Sequence, residues 1–366
     1  MNTDAELKQR LSRAVDPLEL DVEARLRSLH RSAPRRRLVH KAGVIAIAAS
    51  VAVLGAGVAI RLAPGSKDPR IGSADLRTPQ GQIAYTRGSA AFEFSLLTVS
   101  ASDGSDPIGV PTDIPFAQVE RWSPDGTEIA YLAANDASSH SLGIIVANAD
   151  GSDAKTIVPG PVNDYVAWLS WSPDGTKIAY VDGHGLWVVN ADGTQPRLID
   201  HGRWESVDWS PDGAKLLLSG YPSDTNQLDL YTVTPQGGDL TRLTNDAPSE
   251  HAASWSPDGS SIVFGVSPGS ADDDHEMDIA VIAADGTDEQ VLTDWSGFDG
   301  FPVWSPDGHW IAFSSDRGAT PAQIEANTTS GVDTGFSLYT MASDGTEVAL
   351  VVDGGDAAIL PTSWRA

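Results

Sequence analysis

The sequence predicts an all-β fold: a six-bladed β-propeller closed by its C-terminal strand, preceded by a short helical head and one transmembrane helix. Three observations carry this. Trp-Ser-Pro-Asp-Gly recurs five times, beginning at Trp122, Trp171, Trp209, Trp255 and Trp304, at intervals of 49, 38, 46 and 49 residues, which is the length of a four-stranded propeller blade. Partial repeats stand at the two ends of residues 77–366 and complement each other. Upstream, Ala42 to Ile60 is an uncharged run of nineteen residues; as a helix it spans about 28 Å, close to a hydrocarbon core of about 30 Å.

The charge divides along the same line. Residues 1–41 hold ten Lys/Arg and six Asp/Glu, a balance of +4; the remaining 14 basic and 44 acidic residues give −30, and the two sum to −26. A body so acidic is excluded from gripping a phosphate backbone, so no nucleic-acid partner is expected. The absence of cysteine excludes disulfide scaffolds, thiolate zinc sites and thiol catalysis. In the head, residues 1–41, Thr3 and Glu6 form a capping box ahead of Leu7, Leu11 and Val15. Asp21 can cap a second short helix carrying Val22, Leu26 and Leu29, with Pro17 between the two. Helices this short bury too little to fold alone, so a solvated stub is expected. The sharper reading is that residues 1–34 dock a cytoplasmic partner through these stripes.

Arg35, Arg36, Arg37 and Lys41 precede the apolar run and Arg61 alone follows it at once. Basic flanks stay cytoplasmic, which puts the chain in the cell membrane as a single-pass protein, N-terminus inside and propeller outside. The run exceeds the usual apolar core of a signal peptide and its leader is long, so a retained anchor over 42–61 is expected. Residues 62–76 read as an irregular linker.

Each part of the repeat has a mechanical reason. Tryptophan ends a strand with a large ring able to pack between neighbouring blades. Proline presets φ for the first corner of a tight turn, and Asp-Gly supplies the polar and φ-positive positions. The next strand opens with β-branched or aromatic residues, such as Ile129-Ala130-Tyr131 and Ile262-Val263-Phe264. A third strand follows, as in Leu186–Val189, then a second hairpin turn at Asp103, Asp150, Asp192, Asp285 and Asp344, with Gly237-Gly238 in the same role. The fourth strand is short: Arg197–Ile199, Arg242–Thr244, Val291–Thr293. Six turns of the second kind face five of the first, and the ends supply the difference. Gln82–Tyr85 matches the strand after a Trp-Ser-Pro-Asp-Gly turn, and Ile359–Trp364 matches the strand before one. Pairing them completes blade one and removes the open edges of a linear array.

The pattern WSPDG-x-x-IA(Y/F), then a strand, then ADG(S/T), then RLT resembles the repeat of TolB-like propellers, also called WD40-like or PD40 repeats. RLTNDAPSEHAASWSPDG at 242–259 and FSSDRG at 313–318 carry the likeness most strongly. The resemblance implies the fold and leaves the role open among envelope binding modules, adaptors and lids on hydrolases. The retained anchor and the lack of a folded domain before the propeller depart from TolB itself, so a part in outer-membrane translocation is not implied.

Chemistry-bearing motifs are few. Gly265-Val266-Ser267-Pro268-Gly269 matches the G-x-S-x-G nucleophile pattern, but such elbows join a strand to a helix, and proline after the serine obstructs the helix. It reads as chance. Asp272-Asp273-Asp274-His275-Glu276 clusters carboxylates without EF-hand spacing and reads as a solvated loop. Turn chemistry accounts for the repeated aspartates. No catalytic, metal or cofactor residue is therefore assigned.

Segments entering the innermost strands converge on the central channel and carry aromatics mixed with charges. Tyr165, Trp204, Glu250, His251 and Asp299 are the expected ligand-binding residues at this mouth, with Ala319–Asp333 as a second contact loop. Trp122, Trp171, Trp209, Trp255, Trp304 and Trp364 are the structural residues of the repeat. The expected function is a membrane-anchored extracytoplasmic binding or scaffold protein, not an enzyme, that recognises a protein, peptide or glycan at the bacterial cell envelope. Two alternatives stand beside it: a transmembrane signalling regulator whose head binds a transcription-related partner, and a propeller lyase or hydrolase using mouth residues.

Overall fold

The computed structural model describes residues 79–89, 94–109, 117–134, 142–160, 166–222, 228–245, 248–267, 276–324 and 335–365. The head, the apolar run and the linker lie outside the described residues. Among the described residues, no helix is long and apolar enough to cross a membrane.

One hairpin is built five times over. In each Trp-Ser-Pro-Asp-Gly turn the aspartate Oδ1 accepts a hydrogen bond from the serine hydroxyl, at 2.6–2.7 Å in Ser123, Ser172, Ser210, Ser256 and Ser305. The same oxygen accepts from the backbone N–H of the residue after the glycine, at 2.9–3.1 Å. The serine oxygen in turn accepts the N–H that opens the next strand, at 2.9 Å each time. The five glycines have φ between +69° and +71°, a left-handed conformation that any Cβ would strain. The motif's serine is thus as much a part of the turn as its Asp-Gly.

These hairpins assemble into six four-stranded antiparallel sheets. Blade two runs from the inner strand Ala117–Trp122 through Glu128–Ala134 and Leu142–Asn148 to Lys155–Val158. The inner strands of blades three to six are Val166–Trp171, Arg203–Trp209, Ser249–Trp255 and Asp299–Trp304. Each inner strand touches those of both neighbouring blades, so the ring closes around a central channel. In blade one the inner strand is Ala357–Arg365, paired antiparallel to Gln82–Ser89 with Ile83 opposite Trp364. The C-terminal clasp is therefore present as expected, and Arg365 secures it. Its guanidinium lies 3.9 Å from the Trp122 ring centroid and donates to Gln82 Oε1 and to the Gly126 carbonyl of blade two.

The core lies between blades. Leu132 and Ile144 of blade two pack with Leu169, Trp171 and Ile178 of blade three, and Leu217 and Leu230 of blade four pack with Trp255 and Phe264 of blade five. Ile83, Tyr85, Ile359 and Trp364 of blade one meet Trp310 and Leu338 of blade six. All six repeat tryptophans are buried.

The outer strands differ from expectation in one respect. Those of blades four and five are only Thr241–Arg242 and Gln290–Val291. The threonine of Arg242-Leu243-Thr244 or Val291-Leu292-Thr293 does not extend them. Thr244 and Thr293 instead turn their hydroxyls back to accept the N–H of Leu230 and Ile279, each at 2.9 Å, which satisfies the start of the third strand and ends the ladder.

Candidate functional site

The two ends of the channel are built differently. At one end lie the internally satisfied turns. At the other the inner strands begin, and the five expected ligand-binding residues were placed there. Tyr165 and Asp272–His275 lie outside the described residues, as do residues 325–333 of the expected contact loop.

Trp204 corrects the expectation of an exposed aromatic. It is 4% exposed, packed with Val207, Leu218 and Tyr231, and edge-on to the Tyr231 ring at 5.4 Å. Its indole Nε1 donates to Asp200 Oδ1 at 3.0 Å, and a Cβ on Gly202 would stand 2.4 Å from its ring. The turn before the strand covers the ring, so it is core and not a contact for a ligand.

Glu250 and Asp299 are buried too and form walls instead of a rim. The Glu250 N–H donates to the Leu228 carbonyl at 3.1 Å. Asp299 accepts from Arg317, whose guanidinium spreads over the rings of Trp295, Phe313 and Tyr339 at 5.4–5.5 Å. Burial pushes the Asp299 pKa up, while Ser315 and Arg317 hold it down in part. Asp229 repeats the device in blade four, pairing with Arg242 at 2.6 Å.

His251 is different: its side chain is 19% exposed. Its Nδ1 stands 3.3 Å from Glu205 Oε2 of blade four, and its Nε2 stands 3.5 Å from Ser267 Oγ on the next strand of its own blade. Glu205 is 26% exposed and sits in a β-bulge, since Trp204 pairs with Gly220 and Ser206 with Ser219.

All six inner strands carry such an irregularity. The bulge in blade six holds Phe301 at φ +55°, a costly conformation for a bulky residue. The result is a stack across the channel, because blades three and six are diametrically opposed. The Trp168 and Phe301 rings lie 6.5 Å apart and 12° from parallel. Phe298 continues the cluster at 5.8 Å from Phe301 and 5.1 Å from Phe336. Arg121 of blade two covers Trp168 at 5.0 Å and donates to the Thr362 carbonyl of blade one. Beside the stack a cavity of about 30 Å³ remains, lined by Arg121, Asp208, Ser254 and Thr362 among others.

Asp208 is a partly buried acid that lines this channel. It accepts from Ser170 Oγ of blade three at 2.9 Å, and from Ser254 Oγ and the Trp255 N–H of blade five at 3.1 and 2.9 Å. Burial raises its pKa against these hydrogen bonds and against Arg121. One carboxylate thus ties three blades together. The larger hollows, about 420 and 490 Å³, are gaps between successive turns of blades three and four and of blades five and six. They follow from the repeat and bring no distinctive chemistry together. Among the described residues no cluster of three acidic or histidine side chains gathers for a metal.

Sequence reasoning missed Arg121, Trp168, Asp208 and Phe301, and read Glu205 only as part of the mouth segment Arg203-Trp204-Glu205. A signal existed for two of them: Arg121 and Asp208, like Ser170, Ser254 and Ser363, immediately precede repeat tryptophans, near the end of an inner strand.

The family model for the TolB beta propeller domain, PD40, matches residues 125–271. The fold is TolB-like. The crystal structure of TolB from Acinetobacter baumannii superposes with a TM-score of 0.61 at 20% identity, covering 77% of this chain and 67% of that one. A chain of a Nidogen/Laminin complex superposes with a TM-score of 0.57 at 10% identity, covering 76% of this chain and 97% of that one. No curated protein matches the sequence.

Proposed function

We propose that this chain is a membrane-anchored extracytoplasmic protein whose propeller binds a protein or peptide partner at the cell envelope, on the face where the inner strands begin. The observation that carries it is the contrast between the two ends of the channel. One end is a set of near-identical turns whose polar groups satisfy each other. The other varies from blade to blade, and the Trp168–Phe301 stack reaches across the channel, which favours a partner docked on the mouth surface. The TolB-like fold supports a binding role at the envelope. The nineteen-residue apolar run with its basic cytoplasmic flank supports the anchor. A balance of −30 beyond residue 41 favours partners with positive charge and association that slows as salt screens the field.

Two measurements test this. A reporter fused after Ala366 should be active only outside the cytoplasm; activity inside would refute the orientation. A photo-crosslinker at Arg203, exposed at the mouth, should capture an envelope partner, and one at Asp150, exposed at the turn end, should not. Capture from Asp150 alone would transfer the binding face to the turns.

A further inference from the structure

Three side chains from three strands of two blades meet at the mouth in the order acid, imidazole, hydroxyl. Glu205 Oε2 is 3.3 Å from His251 Nδ1, and His251 Nε2 is 3.5 Å from Ser267 Oγ. The ladder explains the meeting. His251 pairs with Gly265 and Ser249 with Ser267, so His251 and Ser267 are diagonal neighbours on one face of the sheet. The bulge in blade four brings Glu205 to the other ring nitrogen. Ser267 is also the central residue of the G-x-S-x-G match, and it is the last residue of the strand Ser261–Ser267. Base and acid both lie upstream of the serine, on the preceding strand and in the preceding blade.

We propose that Ser267 is an activated nucleophile, with His251 as its general base and Glu205 as the residue that orients the imidazole, acting on carboxylic esters of small, solvent-accessible substrates. This goes beyond the binding role and does not depend on it. With the Nδ1 proton donated to Glu205, Nε2 is left bare to accept the Ser267 proton. As Oγ forms a bond to the ester carbonyl carbon, that proton moves to Nε2. The tetrahedral adduct then collapses with cleavage of the carbon–alkoxy bond, and Nε2–H delivers the proton to the departing alcohol. Water repeats the sequence on the acyl-serine, losing a proton to Nε2, which returns it to Oγ. The net reaction is ester plus water to acid plus alcohol, and it needs no oxidant or metal. The separations are longer than a tight catalytic contact and match the looser geometry of a site without substrate.

The test is covalent. The full chain is treated with a fluorophosphonate, which a nucleophilic serine displaces with loss of fluoride, and the adduct is located by peptide mass spectrometry. Label is expected on Ser267 of the wild type and absent from Ser267→Ala. His251→Ala should slow labelling by about 100-fold or more, the usual share of a general base, and added imidazole should restore part of the rate. Glu205→Gln should slow it by at least about tenfold, with Glu205→Asp recovering some of the loss. Each variant is checked by its melting curve. An unlabelled Ser267 in folded wild type overturns the proposal, and so does a labelling rate that His251→Ala leaves unchanged. In either case the three side chains would be a clamp between blades. Because the readout is a covalent adduct, its failure is separable from failure of the crosslinking test of the binding face.

Discussion

Asp208 shows how much one side chain does in a ring of nearly identical sheets. Its carboxylate receives three donors from blades three and five. Removing it strands two serine hydroxyls and a backbone N–H beside the channel, and each buried donor left without an acceptor costs about 1–3 kcal/mol. Asp208→Ala should therefore destabilise the propeller by at least about 2 kcal/mol in denaturant unfolding, whereas an unchanged midpoint would remove Asp208 from its place as a tie between blades. The turn aspartates act in the opposite sense on pH. Hydrogen bonds from Ser172 and Thr176 lower Asp174 to about 2, from 3.8, and Asp125, Asp212 and Asp258 are lowered in the same way. A carboxylate held below its unfolded value adds stability that is complete above that value and lost as pH falls toward the folded one. Asp208 and Asp299, raised by burial, contribute with the reverse sign, but the lowered turn aspartates outnumber them. The melting temperature should fall on acidification from about pH 5 to about pH 2; a flat profile would show the turn bonds to be energetically idle. These turns were legible in the sequence because their residues are contiguous. Asp208 was not, because its partners lie 38 and 46 residues away and only the closed ring brings them together.

At the scale of the blade, stability comes from faces shared between sheets. Phe264 is fully buried in blade five and packs among Leu217 and Leu230 of blade four. Truncating it leaves a cavity that two sheets of fixed twist cannot both relax to fill. Phe264→Ala should cost about 3–5 kcal/mol. Val291 is 56% exposed on the outermost strand of the same blade, and the same truncation there should cost under about 0.5 kcal/mol. Equal losses at the two sites, read by chemical denaturation, would refute a core placed between blades. Strand identity was legible from hydrophobic alternation and turn spacing. The limit was reached at Trp204, where composition gave an aromatic near the mouth but not the turn at Gly202 that covers it. The bulges were equally hidden. A strand containing Ala252 and Ala253 or Phe301 and Pro302 reads as regular until its register against the next strand is known.

At the scale of the molecule, everything rests on one closure made by residues far apart in the chain. Ala357–Arg365 is the inner strand of blade one, and it touches both the inner strand of blade six and that of blade two. Deleting residues 357–366 removes the ladder to Gln82–Ser89 and the Trp364 indole that donates to the Gln80 carbonyl at 2.8 Å. It also removes the Arg365 guanidinium over Trp122. The losses are coupled, because the bared strand exposes unpaired N–H and C=O groups while blade six loses the partner for Trp310 and Leu338. An exposed edge of this kind pairs with other chains. Truncation should therefore abolish cooperative unfolding and produce aggregates, an effect well beyond the roughly 1 kcal/mol centre of single substitutions. Arg365→Ala is the milder companion: it keeps the ladder and the Arg121–Thr362 bond, removes one of the links to blade two, and should lower the melting temperature while leaving one cooperative transition. If the truncated chain melts as one unit at the wild-type temperature, then the ring does not depend on its clasp, and the sheets must be held by the shared faces alone.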